Sequence, residues 1–202
     1  MIKTIVFDFG NVLGHFDPHL VSRRLAAHAG VSADELHRYL FGGQLEDDYE
    51  SGRLSTAAFL QQLRQTCKLT CPDDVLVTSF VDMFRPNLEV CELVPKLKPR
   101  YQLLVLSNTN DLHARHIRRQ FADVLRHFDA LVLSHEVGCR KPQPGIFEHC
   151  RQRAGCAPAE CLFIDDLPAN VAGARACGWH GIVYRDVPQL RREMEALGVV
   201  LG

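Results

Sequence analysis

Four polar clusters, each placed where an apolar run ends, carry the chemistry legible in this chain. Ile5-Val6-Phe7 ends in Asp8, followed by Phe9-Gly10-Asn11-Val12, and Leu103-Leu104-Val105-Leu106 ends in Ser107-Asn108-Thr109-Asn110. Gly138-Cys139-Arg140-Lys141-Pro142 follows the run 130–133, and Cys161-Leu162-Phe163-Ile164 ends in Asp165-Asp166. A phosphate monoester is a poor electrophile ringed by negative charge, so cleaving it requires a positioned nucleophile and charge neutralisation. Asp8 can be that nucleophile, because carboxylates form acyl-phosphate intermediates. A carboxylate that faces a phosphate needs a cation between them, and Mg²⁺ suits hard oxygen ligands supplied by one or two carboxylates. Asp166, or Asp165 beside it, completes such a metal site. Ser107 and Asn108 can donate hydrogen bonds to phosphoryl oxygens, and Lys141 adds a compact positive charge. Taken singly, turn chemistry or helix capping explains a cluster well enough. Taken together and in this order, they specify a phosphoryl-transfer site.

These residues need strand ends to hold them. Apolar runs at 102–106, 130–133, 161–164 and 181–184 alternate with helical stretches at 111–127, 145–154, 168–177 (stopped by Gly178) and 188–197. That alternation predicts an α/β fold with a doubly wound, Rossmann-like parallel sheet, whose ligands sit outside the carboxyl ends of the strands. Between 16 and 90 the period changes. Helical spacing recurs at 20–29, 33–41, 56–67 and 73–83, with no convincing buried strand. The reading is a helical-bundle cap, residues 16–90, inserted into a core formed by 1–15 and 91–202. Gly42-Gly43 and Ser51-Gly52 divide the insert, and Ser55 is placed to cap the helix that follows. A helical insert beside a ligand-bearing sheet edge suggests a lid. The polar stretch Gln44-Leu45-Glu46-Asp47-Asp48-Tyr49-Glu50 is either a solvated acidic loop or the part that reads the substrate. In the second role its acids would bind sugar hydroxyls and repel a second phosphate, favouring monophosphates over bisphosphates.

Composition narrows the class. The 202 residues are 47% hydrophobic and 23% charged with a net charge of −1, a globular balance that gives no case for nucleic-acid or membrane attraction. The chain enters a strand directly after Met1-Ile2-Lys3, with no leader pattern, and the expectation is a cytoplasmic protein acting on a small phosphorylated molecule. Its 8 cysteines lack the paired spacing of a zinc site, so reduced, mostly structural thiols are expected. His113 and His116 share a helix face without a third ligand near them in sequence, which favours packing over metal binding.

Asp8-Phe9-Gly10-Asn11-Val12, Ser107-Asn108-Thr109-Asn110, Lys141-Pro142, and Asp165-Asp166 with Asn170 resemble the four motifs of the haloacid dehalogenase superfamily, in the branch whose helical cap follows the first strand. The resemblance covers essentially the whole chain. Within the superfamily it is greatest to bacterial glucose-1-phosphate phosphatases and to the N-terminal phosphatase domain of soluble epoxide hydrolases. It implies a Mg²⁺-dependent phosphatase in which Asp8 is the nucleophile and Asp8 and Asp166 are side-chain metal ligands. Gly10 would give the metal its backbone carbonyl. Ser107, Asn108 and Lys141 would hold the phosphate, with Asp165 and Asn170 in support. One departure matters: most phosphatases of this superfamily carry a second aspartate, a general acid and base, where this chain has Gly10. The bacterial group it resembles also has glycine there. Without that acid, a good leaving group such as the anomeric oxygen of a sugar 1-phosphate suffers least; His15, Asp17 and His19 are weak candidates to replace it. Gly10 also leaves room for a phosphate-binding regulatory module without turnover. A 2-haloacid dehalogenase is the third reading, and Gly10 and Asp165-Asp166 both speak against it.

Overall fold

The computed structural model describes residues 1–201. β1 (Thr4–Phe7) is buried along its whole length. After the turn that carries Asp8, β2 (Gly14–Phe16) leaves the core for the cap. The cap consists of α1 (Pro18–Ala26), α2 (Ala33–Leu40), α3 (Gln44–Glu50), α4 (Thr56–Cys67) and α5 (Asp73–Val81). The chain returns through β3 (Phe84–Pro86), which pairs antiparallel with β2. The ribbon is mostly exposed, so it adds a short strand pair at the base of the insert without placing a buried strand in it; two three-residue strands are too short to show an alternating pattern. Local chemistry sets the helix starts. Asp17 accepts from the His19 N–H at 2.9 Å, Ser32 and Glu35 form a reciprocal capping box, and Ser55 accepts from the Ala58 N–H at 3.2 Å, as its position predicted. The stretch 44–50 is a helix rather than a solvated loop. Leu45 and Tyr49, four apart, bury one face, and Glu46 and Asp47 in its first turn suit the helix dipole.

The rest alternates as expected: α6 (Leu88–Leu97), β4 (Gln102–Ser107), α7 (Asp111–Gln120), α8 (Ala122–Leu125), β5 (Ala130–Leu133), α9 (Ser134–Val137), α10 (Pro144–Ala154), β6 (Cys161–Asp165), α11 (Pro168–Ala176), β7 (His180–Val183) and α12 (Val187–Ala196). The boundary placed at 90/91 falls inside the first turn of α6. The single helix expected over 111–127 breaks at Phe121, whose buried ring packs edge-on against Phe9 with centroids 4.8 Å apart.

The five core strands lie parallel in the order β5-β4-β1-β6-β7. β1 is therefore central, and the chain builds outward from it first on one side and then on the other. This is the switch point where such sheets bind ligands. Phe7 lies opposite both Val105 and Ile164, which sets Asp8 level with Asp165 and one residue short of Ser107, so all three gather at one edge of the sheet. Val6, Leu104 and Phe163 pack one sheet face against Phe147 and Trp179. On the other face Phe7, Val105 and Ile164 belong to an apolar cluster that continues through Phe9, Phe84 and Phe80 into Phe59, Leu63 and Leu36 of the cap. Cap and sheet share that core.

Candidate active site

Asp8 is fixed by the strand beside it. Its N–H donates to the Ile164 carbonyl at 2.8 Å, and its Oδ1 accepts from the Phe9 N–H at 2.7 Å and from Lys141 Nζ at 2.6 Å. The buried Lys141 ammonium also reaches Asp165 Oδ2 at 2.7 Å. Asp165 is wholly committed: its Oδ1 accepts from the Leu167 N–H at 2.8 Å, and Asn170 Nδ2 donates to both its oxygens at 3.0 Å. Asn108 staples the lysine loop to the end of β4, accepting from the Lys141 N–H at 2.7 Å and donating to the Lys141 carbonyl at 3.0 Å. Ser107 Oγ donates to the Asn108 carbonyl at 3.3 Å. Half-buried Asp166 accepts from Asn11 Nδ2 at 3.0 Å, and Asn11 sits at φ +53, a left-handed conformation that asparagine tolerates better than most residues.

The carboxylates of Asp8, Asp165 and Asp166 offer oxygens all within 4.8 Å of one another, against a single ammonium. Burial pushes the Asp8 carboxyl up to about 7; Lys141 opposes the shift, while Asp165 and Asp166 add to it. Burial also raises Asp166. Burial works to lower the Lys141 ammonium, but the charges of Asp8 and Asp165 outweigh it and hold the ammonium above its ordinary value. Crowded hard-oxygen donors short of positive charge fit a divalent cation such as Mg²⁺.

Above this floor lies a cavity of about 250 Å³ that the cap closes with Glu46, Glu50 and Phe16. Arg140, next to Lys141, reaches up to Asp47 Oδ1 at 2.7 Å and Glu50 Oε2 at 2.8 Å. Asp47 also pairs with Arg53, and the Arg140 hydrogen bond, followed by that of Arg53, lowers its carboxyl despite desolvation. Glu50 is different. Burial, then the charge of Glu46, pushes it up to about 7 against the pull of Arg140 and Lys141. Gly10 faces the Phe16 ring so closely that an added Cβ would lie 3.1 Å from Phe16 Cε1. Two further contacts dock the cap on the core: Thr56 Oγ1 donates to Asp111 Oδ2 at 2.7 Å, and the Leu112 N–H donates to the Tyr49 hydroxyl at 3.3 Å.

The family model for haloacid dehalogenase-like hydrolases matches residues 2–178, most of the cap and core just described. The chain belongs to this family. This hydrolase is similar to D-ribitol-5-phosphate phosphatase of Bacteroides thetaiotaomicron, at 26% identity over 98% of each chain. A predicted hydrolase of the family from Porphyromonas gingivalis superposes with a TM-score of 0.81 at 29% identity, over 96% of this chain and 98% of that one. A family enzyme of Bacteroides thetaiotaomicron, solved in complex with magnesium and inorganic phosphate, superposes with a TM-score of 0.81 at 25% identity, over 92% and 95% of the two chains.

In this family member Asp8, Gly10, Asn108, Lys141, Asp166 and Asn170 line one cavity, Asp165 lies directly beneath, and Ser107 borders the adjoining pocket with Gly10 and Asn108. His15, Asp17 and His19 are not among the residues lining that cavity. Asp17 is spent on capping α1 and on Arg23 at 2.9 Å. His113 is a packing residue, stacked on Phe80 and pushed down to about 3 by burial. All eight cysteines are free thiols. Sequence reasoning missed Asn11, Phe16 and Arg140 as parts of the site, and saw Glu50 only as one letter of an acidic stretch. The available signal was the four-residue spacing of Glu46 and Glu50, which shares a face once 44–50 is helical.

Proposed function

We propose that this hydrolase is a Mg²⁺-dependent phosphatase that cleaves a small, polyhydroxylated phosphate monoester, a sugar phosphate or polyol phosphate, through an aspartyl-phosphate on Asp8. The observation that carries the reading is Asp8 held by buried Lys141 at the floor of a cavity, with the Asp166 carboxylate near enough to Asp8 for the two to share one metal ion. The full-length relative named as a phosphatase and the solved relative holding magnesium and phosphate support the same chemistry.

Asp8, Asp166 and the Gly10 carbonyl are the groups that would hold Mg²⁺. When bound, the cation screens the Asp8 carboxylate from the phosphate and draws charge from the phosphoryl oxygens. Asp8 then attacks phosphorus, and Lys141 fixes the carboxylate and balances its charge. Ser107 would donate to the phosphoryl oxygens once its hydroxyl turns from the Asn108 carbonyl. Asn108 is committed through its side chain to Lys141, so its contact with phosphate falls to the main chain. Asp165 and Asn170 act through Lys141, keeping the ammonium in place. The roof formed by Glu46 and Glu50 accepts hydrogen bonds from hydroxyls and repels a second phosphate, so monophosphates are preferred to bisphosphates.

The test is phosphate release from sugar 1-phosphates, sugar 6-phosphates, ribitol 5-phosphate, a sugar bisphosphate and p-nitrophenyl phosphate, with and without Mg²⁺. Release should need Mg²⁺ and should fall by roughly 10⁴-fold or more in Asp8→Asn, the scale seen when a nucleophile is removed. Folded, metal-loaded protein that binds a phosphorylated ligand but releases nothing would instead establish a binding module. Full activity in Asp8→Asn would end the reading altogether.

A further inference from the structure

Gly10 leaves the site without a side chain to protonate the departing alcohol, and the cap brings one in. Glu50 closes α3 and lies buried in the wall of the cavity that also contains Asp8, Gly10 and Lys141. Arg140 holds one of its oxygens, Oε2, at 2.8 Å, while Oε1 has no hydrogen-bond partner among the described residues. Because Arg140 precedes Lys141, the same loop sets both Glu50 and the ammonium that steadies Asp8. We propose that Glu50 is the general acid and base of this hydrolase, donating a proton to the leaving alcohol and taking one back from water. This assignment rests on the phosphatase reading above.

The steps balance. As Asp8 forms its bond to phosphorus, the ester P–O bond breaks, and the electron pair left on the alcohol oxygen takes the Glu50 proton. Water then attacks the phosphorus of the aspartyl-phosphate and gives a proton to the Glu50 carboxylate. The P–O bond to Asp8 breaks, inorganic phosphate leaves, and both carboxyl groups return to their starting states.

The charges around Glu50 suit a proton carrier. Glu46 and Asp47 face it from its own helix, and Arg140 and Lys141 from the core loop. Asp47 draws on both Arg140 and Arg53, so less positive charge remains to keep Glu50 ionised. With its carboxyl raised to about 7, Glu50 can carry a proton at neutral pH and surrender it, the property a general acid needs. Glu46 is the competing acid on the same wall. It is more exposed, and its Oε2 is held by the Gly42 N–H at 2.6 Å.

Glu50→Gln tests the assignment on two substrates with Mg²⁺ present. Ribitol 5-phosphate releases a poor leaving group, whereas p-nitrophenyl phosphate releases a phenolate that departs without a proton. The expected result is a fall in kcat/KM, which reports the step that releases the alcohol, of about 10²-fold or more on ribitol 5-phosphate, the scale of lost general-acid help. On p-nitrophenyl phosphate kcat/KM should change little; kcat falls on both wherever hydrolysis of the shared aspartyl-phosphate becomes the slow step. The wild-type rate on the alkyl phosphate should decline as pH rises through 7, and Glu50→Gln should lack that decline. Equal losses of kcat/KM on both substrates, with the alkaline limb kept, would overturn the proposal and make Glu50 a positioning residue for Arg140. A parallel measurement on the wild type needs no variant: a series of aryl and alkyl phosphates should show a shallow dependence of rate on leaving-group basicity, and a steep one would refute the acid. Release from neither test substrate by the wild type would remove the phosphatase reading and this proposal with it.

Discussion

At Gly10 the effect of adding atoms follows from what surrounds it. A Cβ there meets the Phe16 ring at 3.1 Å and approaches Asp8 Oδ2 at 3.9 Å. An aspartate would have to displace the ring and set a second negative charge beside a carboxyl already raised by its neighbours. Gly10→Asp should therefore destabilise the protein by about 1–3 kcal/mol, the usual cost of overpacking, without raising phosphate release. Adding Phe16→Ala should recover part of that loss, which thermal melts of Gly10→Asp, Phe16→Ala and the double variant would show. At this scale the sequence was legible where a polar residue ends an apolar run, as with Asp8, Lys141 and Asp165-Asp166. It was silent on the Arg140 contacts, because the Arg140–Asp47 pair spans 93 positions and depends on which way α3 faces.

Among the elements, the seating of α3 decides the shape of the cavity. The turn after it passes so close to α9 that a Cβ at Gly52 would lie 2.3 Å from the His135 carbonyl oxygen, and Gly52 sits at φ +68. Both objections apply to any other residue, and a backbone carbonyl cannot swing aside. Gly52→Ala should lift the end of α3 from the core, costing roughly 1–3 kcal/mol in stability. It should also raise KM for the substrate while leaving Mg²⁺ affinity unchanged, since the metal-binding floor belongs to the core. Denaturant unfolding and a Mg²⁺ titration separate the two effects. The helix at 56–67 was readable to the residue because twelve positions give more than three turns and a cap. α3 offers barely two turns, and the β2–β3 ribbon three residues a side, so neither carries a period long enough to stand out.

For the whole molecule, the acids gathered at one sheet edge tie stability to metal and to pH. Mg²⁺ bound to the folded state alone should stabilise by about 2.7 kcal/mol at a hundredfold excess over its Kd, a rise visible in the melting temperature and abolished by a chelator. In metal-free protein Glu50 adds a pH dependence. Its folded value lies near 7, above that of an unfolded carboxyl, so its contribution is fully present below the unfolded value and is lost as pH rises through 7. Wild type should thus lose roughly 1–3 kcal/mol relative to Glu50→Gln between pH 5 and 8, measured by unfolding in the presence of a chelator. The order of the strands has a consequence for how the protein is made. β1 leaves the ribosome long before its partners, which begin at Gln102 and Cys161. Until they arrive, Thr-Ile-Val-Phe has both edges unpaired, while the cap helices can already form from local contacts. An apolar strand that waits this long needs shelter from other chains. Asp8 reaches its working position only once Cys161–Asp165, far downstream, has been made.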